Sequence, residues 1–274
     1  MLELPECRVI ARQLSETIAG KTIQSVVVDA SPHGFAFYFG DPSTYNSALS
    51  GKTVGKAIPN CGQVELFIED MRLCFNDGVN IRYFAPGEIL PKKHQLLVAF
   101  TDGSALVCTV QMYGGMMAFP AGKSDNFYYK ISKERPSPFL DAFNEAYFAE
   151  LMSGVSQSMS LKAFLATEQR IPGLGNGVLQ DILFHARLHP KAKLSSVSGS
   201  QRSELFKSVR KTLSDMAEHG GRDTEKDIFG TPGGYATALS SKTYMLPCSV
   251  CGGSILRQPY MGGNVYFCPV CQPL

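Results

Sequence analysis

Leu4, Cys7, Ile10, Ala11, Leu14 and Ile18 recur three or four positions apart over residues 4–19, and Gly20 follows. That spacing gives a helix one apolar face, and glycine is a natural stop. The period then changes. Segments 22–29, 34–40, 52–59, 63–69, 71–76, 95–101 and 104–110 are short and apolar and predict strands. Asp102-Gly103 between the last two is a hairpin turn, because glycine tolerates the backbone that tight turns need. One helix and then many short strands, without regular alternation, predicts an antiparallel sandwich behind that helix and not a dinucleotide-binding fold. The helix is expected to point Met1, Leu2 and Glu3 outward, leaving the α-amine near the Glu3 carboxylate.

Helical spacing returns in the second half. It predicts helices over 139–152, 160–170, 177–187 and 198–219, the last closed by Gly220-Gly221. Ahead of them Pro136, Ser137 and Pro138 end a polar stretch with Lys130, Lys133 and Arg135, which predicts a hinge. Residues 222–242 show no period and hold several glycines and a proline; loops of that length are functional or disordered. Near the end, 254–256 and 265–267 predict two short strands between the turn formers Gly252-Gly253 and Gly262-Gly263-Asn264. The expected α+β chain is an N-terminal helix with an antiparallel β-sandwich (1–122), a linker (123–138), a helical domain (139–221), a loop (222–242) and a C-terminal ribbon (243–274).

Composition narrows the class. Hydrophobic residues make up 44% of the 274 and charged residues 18%, an ordinary globular balance. There is no apolar run of membrane-spanning length, nor a basic start followed by an apolar core, so a soluble, unexported, cytoplasmic protein is expected. Cys7, Cys61, Cys74 and Cys108 sit among apolar neighbours and read as reduced, buried thiols. The net charge of +2 neither demands nor excludes nucleic acid, which needs only a local basic face. His33, His94, His185, His189 and His219 show no ligand spacing and are expected at the surface or at helix ends.

Two stretches carry candidate chemistry. Cys248, Cys251, Cys268 and Cys271 form two Cys-x-x-Cys pairs sixteen residues apart. Zn²⁺ prefers four soft ligands in a tetrahedron, and each pair delivers two thiolates from one turn. Two disulfides are the alternative, disfavoured by the paired short spacing. Residues 171–177 place Pro172, Gly173, Gly175 and Gly177 between two predicted helices. Such a turn bares backbone N–H groups at a helix start and suits a phosphate; a plain glycine-rich link between helices is the competing reading.

The stretch IPGLGNGVLQDILFHARLHP (171–190) resembles the helix–two-turn–helix motif of the formamidopyrimidine-DNA glycosylase / endonuclease VIII family. SLKAFLATEQ (160–169) is similar to the stretch before that motif, CPVCQ (268–272) to the close of the family ribbon, and LELPECRVIARQL (2–14) to its N-terminal helix. The resemblance implies a DNA glycosylase/AP lyase of base-excision repair, with a β-sandwich, a helical domain and damaged DNA held in the cleft between them. It implies a proline amine that attacks C1′ of a nucleotide rotated out of the duplex, a following glutamate that moves protons, and phosphate grips from an asparagine, a lysine and a ribbon arginine. Asn176, flanked by Gly175 and Gly177, falls on the family asparagine, and Glu3 on the glutamate.

The other positions depart from that pattern. Leu2 stands where the family has proline. Removal of an initiator methionine needs a small second residue, so Met1 is expected to stay. Its amine then lies one Cα step, roughly 3.8 Å, from the family position, where about 1 Å of misplacement costs on the order of 10²-fold. The lysine-bearing strand start falls on residues 60–65, which hold no lysine, and Lys56 is the nearest substitute. Gly263 replaces the ribbon arginine. For the side chains that fill the gap left by a flipped nucleotide, the candidates are Val79, Gln111, Met112 and Tyr113, and residues 222–235 resemble the base-pocket loop.

The partner implied is double-stranded DNA, damaged or abasic, bound by a monomer with one Zn²⁺, nucleoid-associated in a bacterium. A binding protein without catalysis and an active glycosylase/AP lyase using the amine of Met1 (or Leu2) with Glu3 are both open. A zinc-ribbon adaptor for protein partners is a third, blander reading.

Overall fold

The computed structural model describes residues 2–274. Met1, the expected bearer of the amine, lies outside the described residues. The chain divides into two compact units, one made of residues 1–134 with 225–233, the other of 135–224 with 234–274.

The first unit opens on α1 (Leu4–Ile18), with Pro5 in its first turn and Cys7, Ile10, Ala11, Leu14 and Ile18 buried. Proline fits there because the first helical N–H groups have no intrahelical acceptor. The residues before the helix depart from expectation: Leu2 and Glu3 do not point outward but are each only 2% exposed. Leu2 belongs to the same core cluster as Ile10 and Leu14, because an apolar side chain next to an apolar helix face gains by leaving water.

The strands are β1 (Ile23–Val28), β2 (Ala36–Phe39), β3 (Val54–Asn60), β4 (Gln63–Ile68), β5 (Met71–Phe75), β6 (Val79–Phe84), β7 (Leu96–Phe100), β8 (Ala105–Val110) and β9 (Gly114–Pro120). Among the described residues they form a four-stranded sheet, β1-β7-β8-β6, and a five-stranded sheet, β2-β9-β5-β4-β3. Pairing is antiparallel except for β2 with β9, which run parallel, a correction to the all-antiparallel expectation. Inward residues of both sheets, such as Val98 and Leu106 from one and Leu66 and Phe75 from the other, share one core with α1.

Four elements of this unit were not legible as such: β6, β9, α2 (Tyr45–Leu49) and α3 (Phe127–Glu134). The glycines that open β9 read as a turn, yet Gly115 is required by crowding: a Cβ there would lie 2.5 Å from Asn76 Oδ1. Helix α3 occupies a polar stretch that reads as a hinge. Its hold is Glu65, 1% exposed on β4, which accepts from Tyr129 Oη at 2.8 Å and Lys133 Nζ at 2.5 Å.

The stretch expected as one long loop also behaves differently. Ile228 is fully buried in the core of the first unit. Its carbonyl accepts from Tyr83 N on the edge strand β6 at 2.8 Å. Arg82 donates to the Asp227 carbonyl at 2.6 Å, and Gln13 of α1 donates to the Asp227 carboxylate at 2.9 Å. The segment thus occupies hydrogen-bonding positions that an exposed sheet edge leaves open.

The second unit contains α4 (Glu145–Ser153), α5 (Leu161–Ala166), α6 (Asn176–His185) and α7 (Gly199–Glu218). Side-chain caps set their starts: Asn144 for α4, Ser160 for α5, and a Ser198/Gln201 capping box for α7. Helix α4 therefore begins six residues after the expected 139, at the first residue behind a capping asparagine. Helix α5 stops short because Glu168 and Gln169 adopt positive φ, which no helix continues through. The unit ends in a hairpin, β10 (Leu256–Tyr260) and β11 (Gly263–Phe267). The turn between them is Met261-Gly262, both at positive φ, as a two-residue hairpin turn requires. Gly263 is therefore a strand residue opposite Tyr260 and not part of the turn. No helix of the described residues is long and apolar enough to cross a membrane.

Candidate functional site

Cys248, Cys251, Cys268 and Cys271 bring their sulfur atoms within 4.8 Å of one another. Cys248 Sγ lies 3.8 Å from Cys271 Sγ, and Cys251 Sγ 3.5 Å from Cys268 Sγ. A disulfide needs about 2.05 Å, so neither pair is one. Thiolates about 2.3 Å from a tetrahedral centre lie roughly 3.8 Å apart, which is the spacing found. Backbone N–H groups point at the sulfurs, Gly253 N to Cys251 and Cys271 N to Cys268. The four thiols are placed to hold a metal ion.

Side chains of the helical part fix the ribbon that carries this site. Gln180 on α6, 3% exposed, donates to the Asn264 carbonyl at 3.0 Å and accepts from Tyr266 N at 3.0 Å. It bonds the edge of β11 much as a neighbouring strand would. Gln272, fully buried, accepts from Cys268 N at 3.1 Å and donates to the Leu188 carbonyl at 2.9 Å, tying one cysteine knuckle to the end of α6. His189, expected at a surface or helix end, is 5% exposed and meets the Phe267 ring at 4.3 Å. Asp181, fully buried, accepts from Ala238 N and Leu239 N at 2.9 and 2.8 Å; burial raises its pKa against those bonds. None of Gln180, Asp181 or Gln272 was singled out from sequence, since a lone polar residue in a helix or after a cysteine gives no local signal.

Asn176 is the first residue of α6, with Gly175 at the N-cap and Gly177 next. Its Nδ2 donates to the Asn264 carbonyl at 3.1 Å, while its buried Oδ1 has no donor. Lys162 on α5, 4% exposed, donates from Nζ to the Tyr260 carbonyl at 2.6 Å. A Cβ built on Gly263 would sit 3.4 Å from Asn176 Nδ2 and 3.7 Å from Lys162 Nζ. The helix start, α5 and the ribbon tip therefore converge at the glycine that stands for arginine.

In the first unit, Leu2, Glu6, Ile10, Val79, Asn80, Ile81, Glu225 and Lys226 line a small open hollow. The first turn of α1, β6 and the returning segment thus meet around one hollow. Val79, expected on a loop, is instead the first residue of β6 and 1% exposed, so it cannot reach out to fill a duplex. Gln111, Met112 and Tyr113 are exposed on the turn before β9. Tyr113 Oη donates to Asp77 Oδ2 at 3.0 Å, and burial of its ring together with the Asp77 charge pushes its pKa up to about 12. At the β3–β4 turn, Gln63 is 3% exposed. Lys56 is exposed on β3 with its ammonium 5.7 Å above the Phe67 ring.

The fold and this second unit define a class: an α+β protein in which a glycine-broken helix pair carries a four-thiol hairpin. No protein-family model matches the chain. Formamidopyrimidine-DNA glycosylase of Cytobacillus firmus is 28% identical to it over 290 residues, covering 99% of this chain and all of that one. The enzyme of that name from Oceanobacillus iheyensis is 27% identical over 286 residues, covering 100% and 98%. Among solved structures, MutM (Fpg) of Thermus thermophilus superposes with a TM-score of 0.81 at 22% identity, covering 98% of each chain. Lactococcus lactis Fpg, in a complex with DNA containing an abasic site, gives 0.83 at 23% identity, covering 99% and 100%. Along its whole length the chain is thus similar to formamidopyrimidine-DNA glycosylases, in sequence and in fold.

Proposed function

We propose that this protein binds damaged double-stranded DNA and recognises it without the amine chemistry of its family. Burial of Leu2 carries the second half of that statement. The residue at the family's proline position is 2% exposed and part of the core cluster, so the chain start serves packing. With Met1 retained, the Leu2 nitrogen is an amide whose lone pair is delocalised into the carbonyl; it cannot attack C1′. Glu3 stays beside it, buried, without a proline amine to serve.

Several features support DNA as the partner. Relatives covering the whole chain carry the name formamidopyrimidine-DNA glycosylase. Gly175, Asn176 and Gly177 open α6, and a helix start favours phosphate. Residues 222–235 resemble the family's base-pocket loop, and Tyr113, Met112 and Gln111, exposed on the turn before β9, would take the place vacated by a base turned out of the stack. Lys56 is an exposed cation available to a flanking phosphate. The four thiols fit Zn²⁺, a borderline-soft ion that takes tetrahedral sulfur; it would shape the ribbon and take no part in chemistry. Such a protein works as a monomer on chromosomal DNA in the cytoplasm.

The test pairs binding with trapping. Fluorescence anisotropy is expected to show tighter binding to a duplex with an abasic-site analogue than to the plain duplex. Borohydride with an abasic duplex is expected to give no covalent adduct. Equal affinity for both duplexes would refute damage recognition. An adduct that prior N-terminal acetylation and Glu3→Gln each abolish would show that the Met1 amine is catalytically competent.

A further inference from the structure

We propose that the first unit carries a platform for unpaired bases, built from β2, the turn before β9 and the start of α3. Damaged DNA flanked by a single strand is then the substrate class. This rests on the DNA-binding reading above and adds to it the kind of DNA that is preferred. Phe35, just before β2, and Phe37 within it are 62% and 56% exposed, and Phe127 and Tyr128 at the start of α3 are 61% and 51% exposed. Met112 and Tyr113 are exposed on the turn before β9. Among the described residues, five of the six exposed aromatic side chains stand in these three segments; the sixth, Phe229, packs on Tyr83. Rings left in water and gathered on one face mark a surface that binding covers.

Pairing and packing make the face continuous. The Phe35 carbonyl accepts from Gly114 N at 3.0 Å, one residue beyond Tyr113. Phe37 lies in register with Gly115, which has no side chain. Beneath the exposed rings, Phe119 of β9 meets Phe39 of β2 at 6.3 Å and Tyr129 of α3 at 4.9 Å, which seats the helix on both strands. Glu65 holds it there through Tyr129 and Lys133. The Phe127 and Tyr128 rings are 5.5 Å apart. Burial, Asp77 and Glu3 raise the pKa of Tyr113, and Tyr128 adds to them, so the two phenols are near one another.

Chemistry selects the occupant. Apart from Met112, the large exposed apolar side chains of these segments are all aromatic. Every base has a flat π-face, so such rings hold unpaired nucleotides whatever their sequence, while cations beside them follow the phosphates. Residues 121–134 carry Lys123, Lys130 and Lys133 against Asp125 and Glu134. Lys123 and Lys130 are exposed and form no ion pair among the described residues. A paired strand shows only base edges in its grooves, so these rings are of use to an unpaired one. They adjoin the turn of Gln111, Met112 and Tyr113, proposed above to take the place of an extruded nucleotide. A strand that leaves the duplex beside the lesion meets them next.

The test compares two DNAs that both carry an abasic-site analogue, using the zinc-loaded full chain and fluorescence anisotropy. One is fully paired; in the other the duplex ends a few base pairs from the lesion in an unpaired thymidine strand, on either side in turn. Wild-type protein is expected to bind the partly unpaired DNA about tenfold more tightly, the effect of a stacked base or two. Phe37→Ala and Phe127→Ala are each expected to remove most of that advantage and to leave affinity for the paired duplex unchanged. Both side chains are exposed, so neither variant puts folding at stake. Phe37→Tyr, which keeps a ring, is expected to retain the advantage. Equal wild-type affinity for the two DNAs, or an advantage that survives both alanine variants, would overturn this proposal alone. A dimer in sedimentation that Phe37→Ala dissolves would assign the face to a second copy and overturn it too. No preference for the paired lesion duplex over plain duplex would overturn the functional reading and this proposal with it.

Discussion

Gly78 has no side chain because there is no room for one. A Cβ there would fall 1.4 Å from the Tyr113 carbonyl oxygen, and its φ is +81°, so the turns before β6 and β9 are held in register by bare backbone. Gly78→Ala is expected to lower the unfolding free energy by about 4 kcal/mol or more, among the largest single-residue effects. Gly103→Ala, also at positive φ but with only Pro86 nearby at 3.6 Å, is expected to cost just the left-handed backbone penalty, about 1–2 kcal/mol. Urea denaturation of the two variants checks the contrast. At this scale the sequence is legible where chemistry is local. Four cysteines in two short pairs announce a metal, because the spacing is itself the geometry. Gln180 and Gln272 announce nothing, because each is defined by a partner on the ribbon or helix end far along the chain. Leu2 was legible as a replacement, but not as a core residue.

Among the elements, the joint between α6 and β11 is the one on which the candidate site depends. Gln180→Ala removes an acceptor from Tyr266 N and a donor from the Asn264 carbonyl, and a buried unpaired group costs about 1–3 kcal/mol. Faster hydrogen exchange at the Tyr266 amide, with exchange across β1–β9 unchanged, is the expected result. Stripping the metal with a chelator should act on the same element from the other side. Exchange in β10 and β11 should rise to that of an open segment, because metal binding and folding of such a ribbon are one equilibrium. Helices α6 and α7 were readable from their apolar period and their glycine ends. Helix α3 was not: its anchor is a buried glutamate on another strand, and lysines beside prolines look like a solvated hinge until that partner is known.

For the whole molecule, the informative residue is Ile228. It comes after all the helices of the second unit yet lies fully buried in the first. Ile228→Ala is expected to destabilise the first unit by about 2–5 kcal/mol, as other large-to-small core substitutions do. In a thermal scan followed by hydrogen exchange, the loss should appear first in β6 and α1, the elements that hold the returning segment. Period and turn signals suggested where the helical part ends, but a segment that rejoins an earlier core looks like any aperiodic loop.

That return also sets a timetable during synthesis. The ribosome releases residue 134 well before residue 233, and at about 5–20 residues per second roughly 5–20 s separate the two. Throughout that interval the nascent sandwich has an unclaimed strand edge at β6 and a vacant seat where Ile228 will lie. Crowded polysomes are where that edge is exposed to other chains. Holdase chaperones that bind extended apolar segments should therefore be found on this chain before translation reaches Ile228, and leave it afterwards.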